Sequence, residues 1–298
     1  MASAASSPTV DAGHEIRWRA TITPVTNSGL GVFSQIGENF EIYGNPLCLI
    51  YGDNFVSNST FPSGSHAFYQ MFKDCTTLTS AANLKFVVEV GRASCYREMF
   101  KGCTSLVSPP STVTLLTTNE RVCQSMFEGC SALTTAPIIP IVSSTGTGTC
   151  CYMFKDCTSL TAAPELSATT ISAQCYRYMF QGCSSLTNIM SILPAQTMTS
   201  ANYCYQGMFQ DCKSITKTPI LPALTLVGQS YQQMFSGCNS LNHVTILATD
   251  ISATNCLTNW LSNVASTGTF VKNSSMTSFP SGASGIPVNW TVTNYVTS

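Results

Sequence analysis

Residues 95–106 read Cys95-Tyr-Arg-Glu-Met99-Phe-Lys-Gly-Cys103-Thr-Ser-Leu106, and this stretch is one copy of a repeated unit. The Met-Phe pair recurs at intervals of 26 to 29 residues. A cysteine follows each of these methionines by four residues, and a leucine or isoleucine follows by seven. A fixed period of this length predicts a solenoid. The repeated methionines are Met71, Met99, Met126, Met153, Met179, Met208 and Met234.

Each unit is predicted to contain a short helix followed by a short strand. Cys95, Met99 and Cys103 lie four residues apart, as apolar residues do along one face of a helix. The following Leu-Thr segment carries proline, and because proline cannot donate to a sheet ladder, any strand there is expected to be about two to four residues long. These prolines are Pro109, Pro137, Pro164 and Pro219. The sequence therefore predicts an α/β repeat solenoid, with a short helix and a short strand in each coil of about 27 residues.

Both ends of the chain depart from the repeat. A degenerate eighth unit carries Trp260-Leu261 in the Met-Phe positions, as expected of a terminal repeat with one unstacked face. Before the repeats, residues 14–22 alternate polar and apolar side chains, and residues 40–53 read as two strands joined at a Gly-Asn-Pro turn. The predicted parts are a flexible arm at 1–13, a small N-terminal β cap at 14–66, the solenoid of seven repeats plus the eighth at 67–266, and a C-terminal cap at 267–298.

The composition argues against nucleic acid and membrane insertion. Only 9% of residues are charged and the formal net charge is −1, whereas phosphate binding needs clustered Lys and Arg. The apolar stretch at 136–142 is far shorter than the roughly 20 residues of a membrane span. The first residues have neither a charged region nor an apolar core, so we expect no classical secretion signal.

The 15 cysteines and few titratable residues predict packing rather than chemistry. There is no Cys-x-x-Cys motif, so we favour a buried cysteine ladder over structural disulfides, with Cys150 as a core substitution. The histidines, His14, His66 and His243, are too dispersed for a zinc site. No nucleophile-His-carboxylate set or phosphate loop is evident, and Glu120 and Glu128 lie in different positions of the repeat. The sequence therefore assigns no catalytic, metal or cofactor residue and predicts that the protein is not an enzyme.

The pattern Met-Phe-x-[Gly/Asp]-Cys-x-Ser-Leu-Thr-x-x-Pro resembles the BspA-type leucine-rich repeat. Such repeats are common in surface proteins of gut anaerobes, and similar arrays occur in proteins of their bacteriophages. The resemblance runs from Ala67 to Ala265, and residues 279–292 resemble the segment that often closes such arrays. It implies binding, adhesion or display, and it fixes no ligand.

Two surfaces are candidates for recognition, although no binding residue is assigned. The tyrosines three residues before methionine could form an exposed ladder for a protein or glycan partner, or they could pack between coils with only the hydroxyl in water. The other surface is the strand face, with its Ser and Thr side chains. The tyrosines are Tyr96, Tyr176, Tyr205 and Tyr231.

These observations predict a non-enzymatic recognition protein. We expect a surface component of a bacteriophage virion, a head or tail appendage assembled in the host cytoplasm, where reduced cysteines persist. Its partners could include other virion proteins. The alternative is a bacterial cell-surface adhesin or host-interaction protein. Open solenoid ends and sheet edges also make a homo-oligomer plausible.

Overall fold

A computed structural model describes residues 39–44, 46, 66–86, 93–113, 119–140, 146–198 and 200–296. The predicted arm at 1–13, the predicted strand at 14–22 and the second strand of the predicted N-terminal cap, near 47–51, lie outside these residues. The domain boundaries given above therefore stay predictions.

The described residues form six β-strands, and each strand is parallel to its neighbour. They are β1 (Phe40–Gly44), β2 (Leu78–Leu84), β3 (Lys217–Leu221), β4 (His243–Ile246), β5 (Gly268–Lys272) and β6 (Trp290–Asn294). The first two form one sheet, and β3 to β6 form a second sheet in chain order. Because strands that follow one another in the chain lie side by side and parallel, the chain completes one coil between them. This is the topology of a β-solenoid.

Between β2 and β3 the coils are joined by isolated parallel bridges instead of strands. Examples are Ser80 with Ser108, and Ala162 with Thr135 and Asn188. Proline lies one or two residues after several of the bridging residues, where its missing N–H prevents the ladder from continuing. The prediction of a short strand in each coil is therefore wrong for the described residues of the middle coils, and within the described parts strands of four to seven residues lie towards the ends.

The segment around each Met-Phe pair is a run of tight turns, and the predicted helix is wrong: none of the described residues is helical. Every fourth residue has a positive φ, as in Arg121 (54°), Ser125 (56°) and Gly129 (76°). An α-helix needs φ near −63° at each residue, so a left-handed residue at every fourth position excludes it. We call these segments turn ribbons. They span residues 66–75, 94–103, 121–130, 148–157, 174–183, 203–212, 229–238 and 255–264.

Hydrogen bonding alternates along each turn ribbon. One N–H donates to the carbonyl three residues back, as Met99 N does to Tyr96 O (3.2 Å), which is the bond of a β-turn. The next N–H donates to the following coil, as Phe100 N does to Met126 O (2.9 Å). An α-helix would keep all of these bonds within its own segment. The turn ribbon uses half of them to hold the neighbouring coil, so the predicted α/β solenoid is replaced by a β-solenoid without helices in its described parts.

The core is a set of columns that run through the coils. The phenylalanines of the Met-Phe pairs stack nearly parallel, with ring centroids 5.4 to 5.6 Å apart. The methionines and the leucine seven residues later are buried beside them. A single coil could not cover these side chains, and at about 1.5–3 kcal/mol for each buried Met, Phe or Leu, stacking is the main stabilising contribution. The stacked rings are Phe72, Phe100, Phe127, Phe154, Phe180, Phe209 and Phe235.

The C-terminal segment closes the last coil. Trp260 occupies the methionine position and is fully buried, and its indole N–H donates to Gly285 O (3.1 Å). Leu261 N donates to Ala283 O (3.1 Å). The closing segment therefore supplies the carbonyl that a further coil would supply elsewhere in the array. On the other side, Trp290 in β6 donates from its indole to Ala265 O (2.8 Å). The closing segment thus covers part of the last ribbon, where the N–H groups of Asn259 and Leu261 donate to Ser284 and Ala283.

Candidate recognition surface

The cysteines four residues after methionine form a buried column that is structural. Each thiol from the second coil onwards donates to the carbonyl of the phenylalanine in the preceding coil, as Cys157 Sγ does to Phe127 O. The six S···O distances are 3.0 to 3.1 Å. Burial raises the pKa of these thiols, to about 11 even at the first, Cys75. They are therefore unreactive hydrogen-bond donors, and the predicted buried cysteine ladder is confirmed.

The predicted tyrosine ladder is buried and offers no surface. Tyr96, Tyr176, Tyr205 and Tyr231 are fully buried between the coils, and the rings of Tyr176 and Tyr205 stack 5.7 Å apart. Burial, followed by the neighbouring thiol of Cys175, raises the pKa of Tyr176 well above its usual value. Packing between coils was the correct alternative, but the expected contact of the hydroxyls with water was wrong.

Cys150 takes the place of a tyrosine in this column and is also fully buried. This burial confirms the expectation that it is a core substitution. The burial also raises the pKa of its thiol, and the nearby thiols of Cys175 and Cys123 add to this. Its neighbour Cys151 is 2% exposed.

The described residues bring no metal-binding set together. No group of three His, Cys, Asp or Glu side chains that could hold a metal ion occurs among them. His66 and His243 lie in the first and seventh coils, and His14 lies outside the described residues. Glu120 is exposed in front of its turn ribbon, whereas Glu128 lies within it and pairs with lysine. Within the part of the chain that the structure describes, no helix has the length and apolarity that a membrane span needs.

The polar surface that the repeats build is the outer side of the turn ribbons, which we call the turn face. It consists of the side chains two residues before, one residue before and two residues after each methionine. These positions are mostly half-buried, while the residue before them and the Met-Phe pair between them are in the core. Because the coils stack in register, side chains at the same position in successive coils become neighbours.

In the first coils the turn face is an ion-pair network around Glu98. Gln70 Nε2 and Lys73 Nζ donate to Glu98 Oε2 at 2.8 and 3.1 Å, and Arg97 Nε lies 3.2 Å from Oε1. Burial alone would raise the pKa of Glu98, but the hydrogen bonds from Gln70 and Lys73 and the two cationic neighbours bring this pKa below its ordinary value. Glu98 is thus held as a carboxylate.

The next coils repeat this neutralisation. Lys101 Nζ lies 3.0 Å from Glu128 Oε2, and Lys155 Nζ lies 4.0 Å from Glu128 Oε1. Lys155 is also 3.8 Å from the carboxylate of Asp156. The cations of this part of the turn face are therefore satisfied within the protein.

In the fourth to sixth coils the turn face changes to aromatic and amide side chains. The rings of Tyr152 and Tyr178 stack 5.3 Å apart. The guanidinium of Arg177 lies over Tyr178 at 5.2 Å and over Tyr203 at 5.5 Å. Arg177 Nε donates to Gln206 Oε1 at 2.6 Å. These three tyrosines are half-buried, and each lies two residues away from the position of the predicted tyrosine ladder, so they were not among the residues singled out from the sequence.

The strand face is more apolar than the sequence predicted. Beside Ser and Thr it exposes single large aliphatic side chains, which lie at different positions of the repeat in different coils. Their exposure reaches 67% at Ile138. The exposed aliphatic residues of the coils are Val107, Ile138, Ile192 and Leu224. An open depression near the C-terminal cap, lined by residues 249–252, Met276 and 278–280, has a volume of about 530 Å³ and contains one carboxylate, Asp250.

The comparisons with known proteins agree with this repeat architecture. Residues 56–206 and 150–283 match a family described as a BspA type leucine rich repeat region, in six copies. Neither the curated proteins nor the solved structures gave a match. The matched residues cover well over half of the chain, include every methionine of the repeat, and confirm the resemblance drawn from the Met-Phe pattern. The protein belongs to the BspA-type leucine-rich-repeat family.

Proposed function

We propose that this protein is a non-enzymatic recognition protein displayed on the surface of a bacteriophage particle, as a head or tail appendage. The observation that carries the proposal is the continuous turn face, in which partly exposed side chains from successive coils form one surface. Repeat solenoids use such extended surfaces to bind protein or glycan partners. The recurring apolar side chains form the core columns. The positions on the turn face are not needed for this packing, so they can differ from coil to coil.

The cysteine column supports assembly in a reducing compartment. Six of its thiols donate hydrogen bonds to backbone carbonyls, which requires that they carry their protons. Disulfides are favoured in secreted proteins, whereas thiols persist in the cytoplasm, where phage particles assemble. A fold that uses its cysteines as donors therefore suits a virion component.

The alternative is a bacterial cell-surface adhesin or host-interaction protein. The observation that favours it is the exposed aliphatic side chains of the coils outside the turn ribbons, such as Ile138, which provide contact area for a protein partner. Both functions use recognition by the solenoid, and they differ in the structure that carries the protein.

Mass spectrometry of purified phage particles and of host outer membranes, from one culture that contains the gene, distinguishes the two carriers. We expect the chain in the particles, at a fixed ratio to the major capsid protein. Detection only in the surface-exposed membrane fraction would contradict the virion proposal and support the adhesin. A capsid protein quantified in both fractions controls for carry-over of particles into the membranes.

A further inference from the structure

Two arginines occupy the same position of the repeat but have different partners. Arg97 and Arg177 both lie two residues before a methionine, and both guanidinium groups lie over a tyrosine ring. Arg97 has the carboxylate of Glu98 at 3.2 Å. Among the described residues no carboxylate lies within 4.0 Å of Arg177. In its place, Gln206 from the next coil accepts a hydrogen bond from Nε.

The guanidinium of Arg177 is fixed in position before any ligand arrives. Tyr178 and Tyr203 lie along it at 5.2 and 5.5 Å, and Gln206 and Gln174 accept bonds from Nε and Nη1 at 2.6 and 3.5 Å. The remaining N–H groups of Arg177 have no hydrogen-bond acceptor among the residues that the structure describes. A cation whose side chain is already ordered loses little conformational entropy on binding an anion, and its fork of donors matches a carboxylate.

The groups around Arg177 are neutral hydrogen-bonding groups. Gln206 Nε2 donates to Gln232 Oε1 at 2.6 Å, and the Tyr178 hydroxyl donates to Gln233 Oε1 at 3.4 Å. Amides and phenols both donate and accept, so they can bind a ligand rich in hydroxyl groups. The nearest cation along the turn face, Lys155, already has Glu128 and Asp156 as partners.

We propose that this part of the turn face binds a sugar that carries a carboxylate, such as a uronic acid, with Arg177 as the carboxylate-binding residue. The inference rests on the proposed recognition function and names its ligand class. One unpaired cation among amides and phenols fits one carboxylate among several hydroxyls. An acidic peptide would bring several carboxylates, which the neutralised lysines nearby could not pair.

The test uses the purified full-length protein and a galacturonic acid oligomer, with a neutral galactose oligomer of the same length as the reference ligand. We expect calorimetry to detect binding of the acidic oligomer only. Arg177→Gln and Gln206→Glu should each weaken this binding at least tenfold. Gln206→Glu supplies Arg177 with the internal carboxylate that Arg97 already has, so it removes the site while retaining the cation and the aromatic stack.

Arg97→Gln is the matched control, because it removes an arginine from the same repeat position and should leave the affinity unchanged. Absent binding of the acidic oligomer, equal binding of the neutral oligomer, or unchanged affinity in Gln206→Glu would each overturn the proposal. Binding of poly-glutamate in preference to the sugar would overturn it in favour of an acidic peptide. Circular dichroism of each variant verifies the fold, and the location of the protein in phage particles is a separate measurement that these outcomes do not affect.

Discussion

Leucine substitutions in the phenylalanine stack test whether the rings stabilise one another across coils. Phe127 and Phe154 stack with centroids 5.5 Å apart and planes that differ by 2°, and Phe154 stacks equally with Phe180. An aromatic pair contributes about 0.5–1.5 kcal/mol beyond the burial of its area. Leucine keeps most of the buried volume but loses both stacked pairs, so Phe154→Leu should lower the free energy of unfolding by about 1–3 kcal/mol.

Double-mutant cycles separate the stacking from the burial. Phe127→Leu and Phe154→Leu should couple by about 0.5–1.5 kcal/mol, because they share one stacked pair. Phe127→Leu and Phe180→Leu should couple by less than about 0.5 kcal/mol, because the ring of Phe154 lies between them. The measurement is urea unfolding, followed by near-ultraviolet circular dichroism and by fluorescence. The two signals must give coincident transitions, since a repeat array can lose two-state behaviour. Equal coupling in the two cycles would refute the reasoning.

Two further substitutions test the polar contacts. The pKa of Glu98 is lowered in the folded protein, so its ion pairs stabilise the fold above the ordinary glutamate pKa of 4.5, and this stability is lost as the pH falls through the lower folded value. Glu98→Gln should therefore be less stable than the parent at pH 7, and its stability should fall less on acidification. Thermal unfolding at pH 7 and pH 3 measures this, and an equal fall in stability of the two proteins would contradict it. Cys157→Ala removes the thiol that donates to Phe127 O but leaves that carbonyl the bond from Cys130 N (3.1 Å), so we expect a loss of about 1–2 kcal/mol in urea unfolding. An unchanged midpoint of unfolding would show that neither the hydrogen bond nor the packing of the Cys157 side chain stabilises the fold.

The columns of the core could be predicted from the sequence because a fixed period places equivalent residues in contact. The type of local structure could not. Cys95, Met99 and Cys103 recur every four residues, and this spacing brings side chains to one face both in an α-helix and in a run of four-residue turns. A glycine or an aspartate precedes each cysteine of the repeat. It is one of three left-handed residues in the turn ribbon, as at Gly182 (φ 76°).

The turn face could not be predicted for a different reason. Arg177 and Gln206 lie 29 residues apart in the chain, and their contact exists only because a residue of one coil lies beside its equivalent neighbour in the next. The sequence most clearly displays the recurring columns, such as the tyrosines that stand three residues before methionine in four of the seven repeats. Those columns are buried because the stack requires them. The turn face is formed by positions that differ from coil to coil, so these positions show no recurring pattern in the sequence.

The alternating hydrogen bonds of the turn ribbons give the solenoid a net dipole along its axis. In each ribbon with a following described coil, five backbone N–H groups donate forward, as Phe180 N does to Met208 O, and among the described residues no backbone N–H of a ribbon donates back to the preceding coil. Peptide dipoles that point the same way add, as they do along a helix. The first coil therefore presents the negative end of this dipole and the last coil the positive end, where Ala283 O and the Ser284 hydroxyl accept the final donors. Two such molecules that meet at their ends attract each other head to tail and repel head to head, so end-on association would build filaments rather than twofold dimers.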